Sequence, residues 1–149
     1  MALFQFTRPT SLPAAEAWRR LTTWERHGDV VPLTRVDVLT PPPTHVGTVF
    51  VARSALGPLG FDDVMEVVEW TPPTTTAPGR CRLEKRGTFV TGWAEIEVRP
   101  DTTGARVLWR EDLRVRRLPA LFDGVLAAVS VRMFGRVVDR LTAASPARR

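Results

Sequence analysis

The chain has 149 residues, 44% hydrophobic and 25% charged, enough for one domain with a substantial core and no sign of disorder. Its single cysteine, Cys81, excludes an internal disulfide and points to a reducing compartment, while no apolar run approaches a membrane span. The net charge of +5 comes from 20 Arg and one Lys scattered among 16 acidic residues, which reads as a solvated surface and argues against a nucleic-acid partner.

The opening Met1-Ala2-Leu3-Phe4-Gln5-Phe6 lacks the basic start and long apolar core of a signal peptide, so a cytoplasmic location is expected. Leu3 to Arg8 alternates as a first strand with Phe4 and Phe6 on one face. Ser11 is placed to cap a short helix that carries Pro13, Ala14, Ala17, Trp18 and Leu21. Thr22-Thr23-Trp24-Glu25 has the spacing of a capping box, so a second short helix follows and ends near His27-Gly28. Strands are then expected over 34–40, 48–55, 61–70, 80–86, 92–99 and 105–115, separated by proline- and glycine-rich turns. The fifth of the seven strands puts Cys81, Leu83 and Lys85 on one face. The sixth puts Ala94, Ile96 and Val98 on one face, and the seventh Val107, Trp109, Glu111, Leu113 and Val115.

The last long segment, Leu118 to Ala144, opens with Pro119 and reads as a long helix. Leu121, Phe122, Val125, Leu126, Val129 and Met133 recur at helical spacing and predict a face buried on the sheet. Phe134, Val138 and Leu141 centre well over a right angle away, with the change of direction at Gly135, so the two halves should meet different surroundings. Residues 145–149 read as a tail. The fold class is therefore α+β: a seven-stranded antiparallel curved sheet gripping a long C-terminal helix, with two short helices after the first strand, all in one domain. Such a grip leaves a cavity between helix and sheet unless large side chains fill it.

Glu111 stands out among the polar residues, in phase with the apolar face of the last strand. A carboxylate there needs a partner or a raised pKa. It is a general acid or base for a bound ligand, half of a buried ion pair, or a residue turned outward by a local bulge. Arg53 is in phase with Val49 and Val51 and would be its partner if that phase faces inward; the other phase, Phe50 and Ala52, is equally apolar. One of Asp62 and Asp63 must face each side of the fourth strand, and Asp63 is the candidate for the cavity mouth. His27 is read as satisfying carbonyls at a helix C-terminus. Two histidines and one cysteine without ligand spacing give no metal motif. Trp109, Met65, Ile96, Leu113, Phe122, Leu126, Val129 and Met133 are the expected apolar lining.

The element order resembles the START-like or SRPBCC superfamily, the helix-grip fold. Local stretches are similar to its bacterial polyketide cyclase/dehydrase-related branch: Ala14-Ala15-Glu16-Ala17-Trp18, Leu21-Thr22-Thr23-Trp24-Glu25, Val46-Gly47-Thr48, Gly92-Trp93-Ala94-Glu95-Ile96 and Gly104-Ala105-Arg106-Val107-Leu108-Trp109. The resemblance implies a hydrophobic small-molecule ligand, polyketide-like or lipid-like, held by a monomer or homodimer. If chemistry occurs, it implies cyclisation, aromatisation or dehydration without a cofactor. It does not choose between an enzyme, a carrier or sensor, and a protein-interaction module.

Overall fold

The computed structural model describes residues 2–56 and 58–143. Seven strands are joined in the order β1-β7-β6-β5-β4-β3-β2, and every neighbouring pair is antiparallel. They are β1 (Ala2–Thr10), β2 (Thr34–Val38), β3 (Val49–Leu56), β4 (Leu59–Thr71), β5 (Gly79–Arg86), β6 (Val90–Asp101) and β7 (Gly104–Val115). Helices α1 (Ala14–Leu21) and α2 (Glu25–Val30) follow β1, and α3 (Asp123–Leu141) follows β7. The expected helix-grip architecture is present. The expected helix end at Ala144, the tail at 145–149 and the turn residue Gly57 lie outside the described residues.

Alternation builds each strand. In β1, Ala2, Phe4 and Phe6 are buried while Leu3, Gln5 and Thr7 are exposed. Pro9 is tolerated because β1 is an edge strand that pairs with β7 alone. In β6, Ala94, Ile96 and Val98 are buried on the inner face. The phase of β4 is set by an irregularity in its pairing with β5 between Val67 and Glu69. That shift lets both Val67 and Trp70 join the core, where Trp70 meets Trp18 at 5.0 Å.

The helix starts differ from the expected caps. Pro13, not Ser11, precedes α1, and no side chain caps it. The Thr22 and Thr23 hydroxyls donate backward, to the Trp18 and Arg19 carbonyls at 2.7 and 2.6 Å. They close α1 instead of opening α2, because α2 begins only three residues later and its own start leaves them free to do so. α2 also continues through Gly28 to Val30. That glycine is needed for close approach to β2: a Cβ there would lie 3.1 Å from the Val36 nitrogen.

α3 overturns one expectation. A single 3-10 turn, Ala120–Phe122, leads into it, and it runs without interruption through Gly135. Its buried face is Ser130, Gly135, Val137, Val138 and Leu141, with Ala127, Val131 and Phe134 packed against the core. The expected stripe is on the other side: Leu121, Phe122, Val125 and Val129 are exposed. A straight helix can bury one stripe, and the second half wins because Phe134 enters an aromatic stack, at 6.0 Å from Phe4 and 5.2 Å from Trp109. Gly135 is a point of contact, not a bend, since a side chain there would strike the Arg8 guanidinium. Among the described residues no helix is long and apolar enough to cross a membrane.

Two glycines separate space from strain. Gly92 has φ +120°, and a side chain there would drive into the Asp112 carbonyl across the β6–β7 ladder. Gly124, in the first turn of α3, has nothing within 4 Å. Urea denaturation should show Gly92→Ala destabilised by about 2 kcal/mol or more. Gly124→Ala should be neutral or stabilised by up to about 1 kcal/mol.

Candidate functional site

The inner face of the sheet is filled at one end by rings. Phe6 stacks on Trp109 at 6.0 Å, Trp24 on Phe50 at 4.5 Å, and His27 tilts between Trp24 and Trp109. His27 Nε2 lies 2.7 Å from the Leu21 carbonyl, and because a carbonyl only accepts, Nε2 carries the proton. Leu21 is the last residue of α1, so the histidine satisfies a helix C-terminus, as expected, though that of α1. Part of its surface is accessible, but the ring is enclosed by aromatic neighbours. Burial pushes its pKa below the usual imidazole value, against the pull of that carbonyl.

Beyond the rings, three charges meet on the same inner face. Lys85 of β5 places Nζ 2.6 Å from Asp63 Oδ2 of β4 and 3.2 Å from Glu111 Oε1 of β7. The Lys85 and Glu111 side chains are each only 2% exposed and Asp63 is 15% exposed, so this is an interior cluster. Met65 Sδ sits 3.8 Å from the same ammonium. Lys85 and Glu111 are not on adjacent strands, because β6 runs between them. There β6 pairs Gly92 with Lys85 and Ala94 with Glu111, and the lysine crosses β6 to reach the carboxylate.

The electrostatics are coupled. Burial raises the Glu111 carboxyl above the usual carboxylate range, Lys85 pulls it back, and Asp63 adds to the rise. Burial works against the charge on Lys85, but Glu111 and Asp63 outweigh it and hold its pKa above the usual value. The ammonium therefore stays charged. Two oxygens of the cluster, Asp63 Oδ1 and Glu111 Oε2, are buried without a hydrogen-bond partner, as is the Trp109 indole N–H. The indole lies close enough to favour the charged form of Glu111 without reaching hydrogen-bond geometry.

Of the expected site residues, Glu111 and Asp63 face inward and share one partner. Arg53 does not join them. It turns outward, where it pairs with Asp37 and Asp62, both at 3.1 Å. The reason is the phase of β3, fixed by Phe50 stacking inward on Trp24. Trp109 and Ile96 are buried in the inner wall, and Met65 and Leu113 are partly buried on that face. Leu126 and Met133 lie half-buried on α3, whereas Phe122 and Val129 face away from the core. The expected lining is thus corrected at Phe122 and Val129. Sequence reasoning missed Lys85 as a site residue. The signal was available: it is the one lysine among 21 basic residues, in phase with Cys81 and Leu83. A separate cleft of about 560 Å³ opens beside α2, walled by Thr22, Trp24, Leu39, Pro41 and Thr48 and not by the underside of α3.

No protein-family model and no curated protein matches the sequence. Solved structures do match, along nearly the whole chain. A START superfamily protein from Mycobacterium smegmatis superposes with a TM-score of 0.75 at 9% identity, over 95% of this chain and 97% of that one. A STAR-related lipid transfer protein from Xanthomonas axonopodis gives 0.71 at 12% identity, over 93% and 85%. The di-domain aromatase/cyclase StfQ from the steffimycin biosynthetic pathway gives 0.72 at 10% identity, over 95% of this chain and 49% of that one. The chain has the START-like, helix-grip fold. Identities this low establish the fold and leave the ligand and reaction to the site itself.

Two outcomes follow from the geometry. Lys85→Met leaves Asp63 and Glu111 buried without a counter-charge, and urea denaturation near neutral pH should show a loss of about 3–5 kcal/mol. The loss should shrink in acid as Glu111, already raised by burial, takes up a proton. For His27, the unfolded chain binds a proton near the usual imidazole value of 6.5 while the folded chain resists. Its contribution to stability is therefore complete above about pH 6.5 and declines below it. His27→Gln should flatten the stability profile between about pH 6.5 and 5.

Proposed function

We propose that this protein binds a small, largely apolar molecule, aromatic or lipid-like, against the inner face of its sheet. The molecule carries one hydrogen-bonding group that the Lys85–Asp63–Glu111 cluster anchors. The observation that carries this reading is the cluster itself. A lysine and two carboxylates are held inside an otherwise apolar face, with two carboxylate oxygens unpartnered. Buried charge is costly, and unpartnered buried oxygens more so. A hydroxyl or protonated group on a ligand would satisfy them. The helix-grip fold is shared with lipid-transfer and aromatase/cyclase proteins, which supports an apolar ligand.

The same cluster defines the chemistry available. Glu111, with its raised pKa, is the group to move a proton. The charged Lys85 beside it steadies negative charge that develops on a ligand carbonyl, the role Arg53 is too far outside to play. Cyclisation, aromatisation or dehydration need no more than these groups and a shaped surface.

Native mass spectrometry of the protein purified from its own host, beside Glu111→Gln, tests the reading. A bound apolar metabolite in the wild type is the expected result. If the variant holds a precursor of what the wild type holds, Glu111 is its acid–base group. The same metabolite in both makes the protein a carrier. If both are empty, and 1-naphthol raises the melting temperature of neither, the ligand reading is wrong.

A further inference from the structure

We propose that the outer face of α3 docks on an anionic lipid bilayer surface, with the helix lying in the interface. The starting observation is the apolar stripe that the fold leaves uncovered. Leu121 is 86% exposed, Val125 63%, Val129 58% and Phe122 46%. Val125 and Val129 occupy the side of α3 away from Val138 and Phe134, and Leu121 and Phe122 continue that side on the 3-10 turn leading into it, so no rearrangement within the helix could bury both sets. Exposed apolar residues scattered singly mean little, but a contiguous set along one helix face does.

The apolar surface extends past the helix. Leu118 precedes it at 37% exposure. The Arg116 N–H donates to the Phe89 carbonyl at 2.8 Å, which ties the β5–β6 turn to the segment entering α3. There Phe89 meets Phe61 of β4 at 5.2 Å, and both rings are about two-fifths exposed, at 40% and 42%. Aromatic rings and leucines thus gather at one end of the sheet, around the start of α3.

Charge selects the occupant. Along the stripe side of α3 the apolar residues give way to Arg132, Arg136 and Arg140, all exposed and with no ion pair among the described residues. Arg116 and Arg117 stand exposed before it. Of the acids on α3, Asp139 is paired with Arg8 at 3.4 Å. A second copy laid on this face would set arginines against arginines or over apolar surface. An apolar wedge continued by a cationic row instead fits acyl chains beside anionic headgroups. The helix is too polar to span, so it lies on the surface. This inference is independent of what the inner cluster binds.

The test is flotation of the full chain with vesicles of phosphatidylcholine alone or of two parts phosphatidylcholine to one part phosphatidylglycerol. At low salt, the anionic vesicles should carry at least about tenfold more protein than the neutral ones, and high salt should abolish the difference. Leu121→Asp/Val125→Asp and Arg132→Glu/Arg136→Glu should each lower binding about tenfold or more. All four positions are exposed, so circular dichroism and the urea midpoint should not move. Absence of flotation with the anionic vesicles overturns the proposal, and so does equal flotation with neutral ones. A concentration-dependent dimer in sedimentation velocity that Val125→Asp dissolves also overturns it, because a second copy would then cover the stripe.

Discussion

Phe134 sits between Phe4 and Trp109, and the orientation of α3 depends on that stack. Phe6 also stacks on Trp109, so strands at one edge of the sheet and the helix α3 share one aromatic layer. Once Phe134 is seated, 3.6-residue periodicity carries Ala127, Ser130, Val131, Val138 and Leu141 to the same side. α3 then lies along β1 and against α1 and α2. The other apolar stripe, around Val125 and Val129, is left in solvent by the same rotation. One packing decision therefore fixes both the filled end of the interior and the uncovered face outside.

The charged cluster depends on that arrangement as well. Rings fill the interior around α2 and the second half of α3, and the cluster lies beyond them, where β4, β5 and β7 each contribute one side chain. In the ladder, β6 places Gly92 opposite Lys85 and Ala94 opposite Glu111. The outer face handles charge differently. Arg53, Asp37 and Asp62 form exposed pairs that contribute little individually and do not constrain the interior.

Much of this was legible in the sequence, residue by residue. Alternation alone fixed the inward set of β5, β6 and β7, because one face of each strand is apolar and the other polar. That groups Lys85 with Cys81 and Leu83, and Glu111 with Trp109 and Leu113, each on one strand face; that both side chains are buried is a finding of the structure. Alternation failed for β3 and β4, where both faces are apolar. Arg53 was left undecided there, until Phe50 meeting Trp24 turned it outward. The hydroxyls of Thr22 and Thr23 were misread because a threonine at a helix boundary can serve the helix behind it as well as the one ahead.

By itself, then, the sequence determined the elements, their order, the antiparallel connections and the strand faces on which Lys85 and Glu111 fall, since these follow from near-neighbour periodicity and turn chemistry. Only the tertiary structure decided which stripe of α3 is buried, which way Arg53 points, and that Lys85 crosses β6 to reach Glu111. Those outcomes turn on contacts between residues dozens of positions apart, where two locally equivalent choices differ only in what they meet across the core.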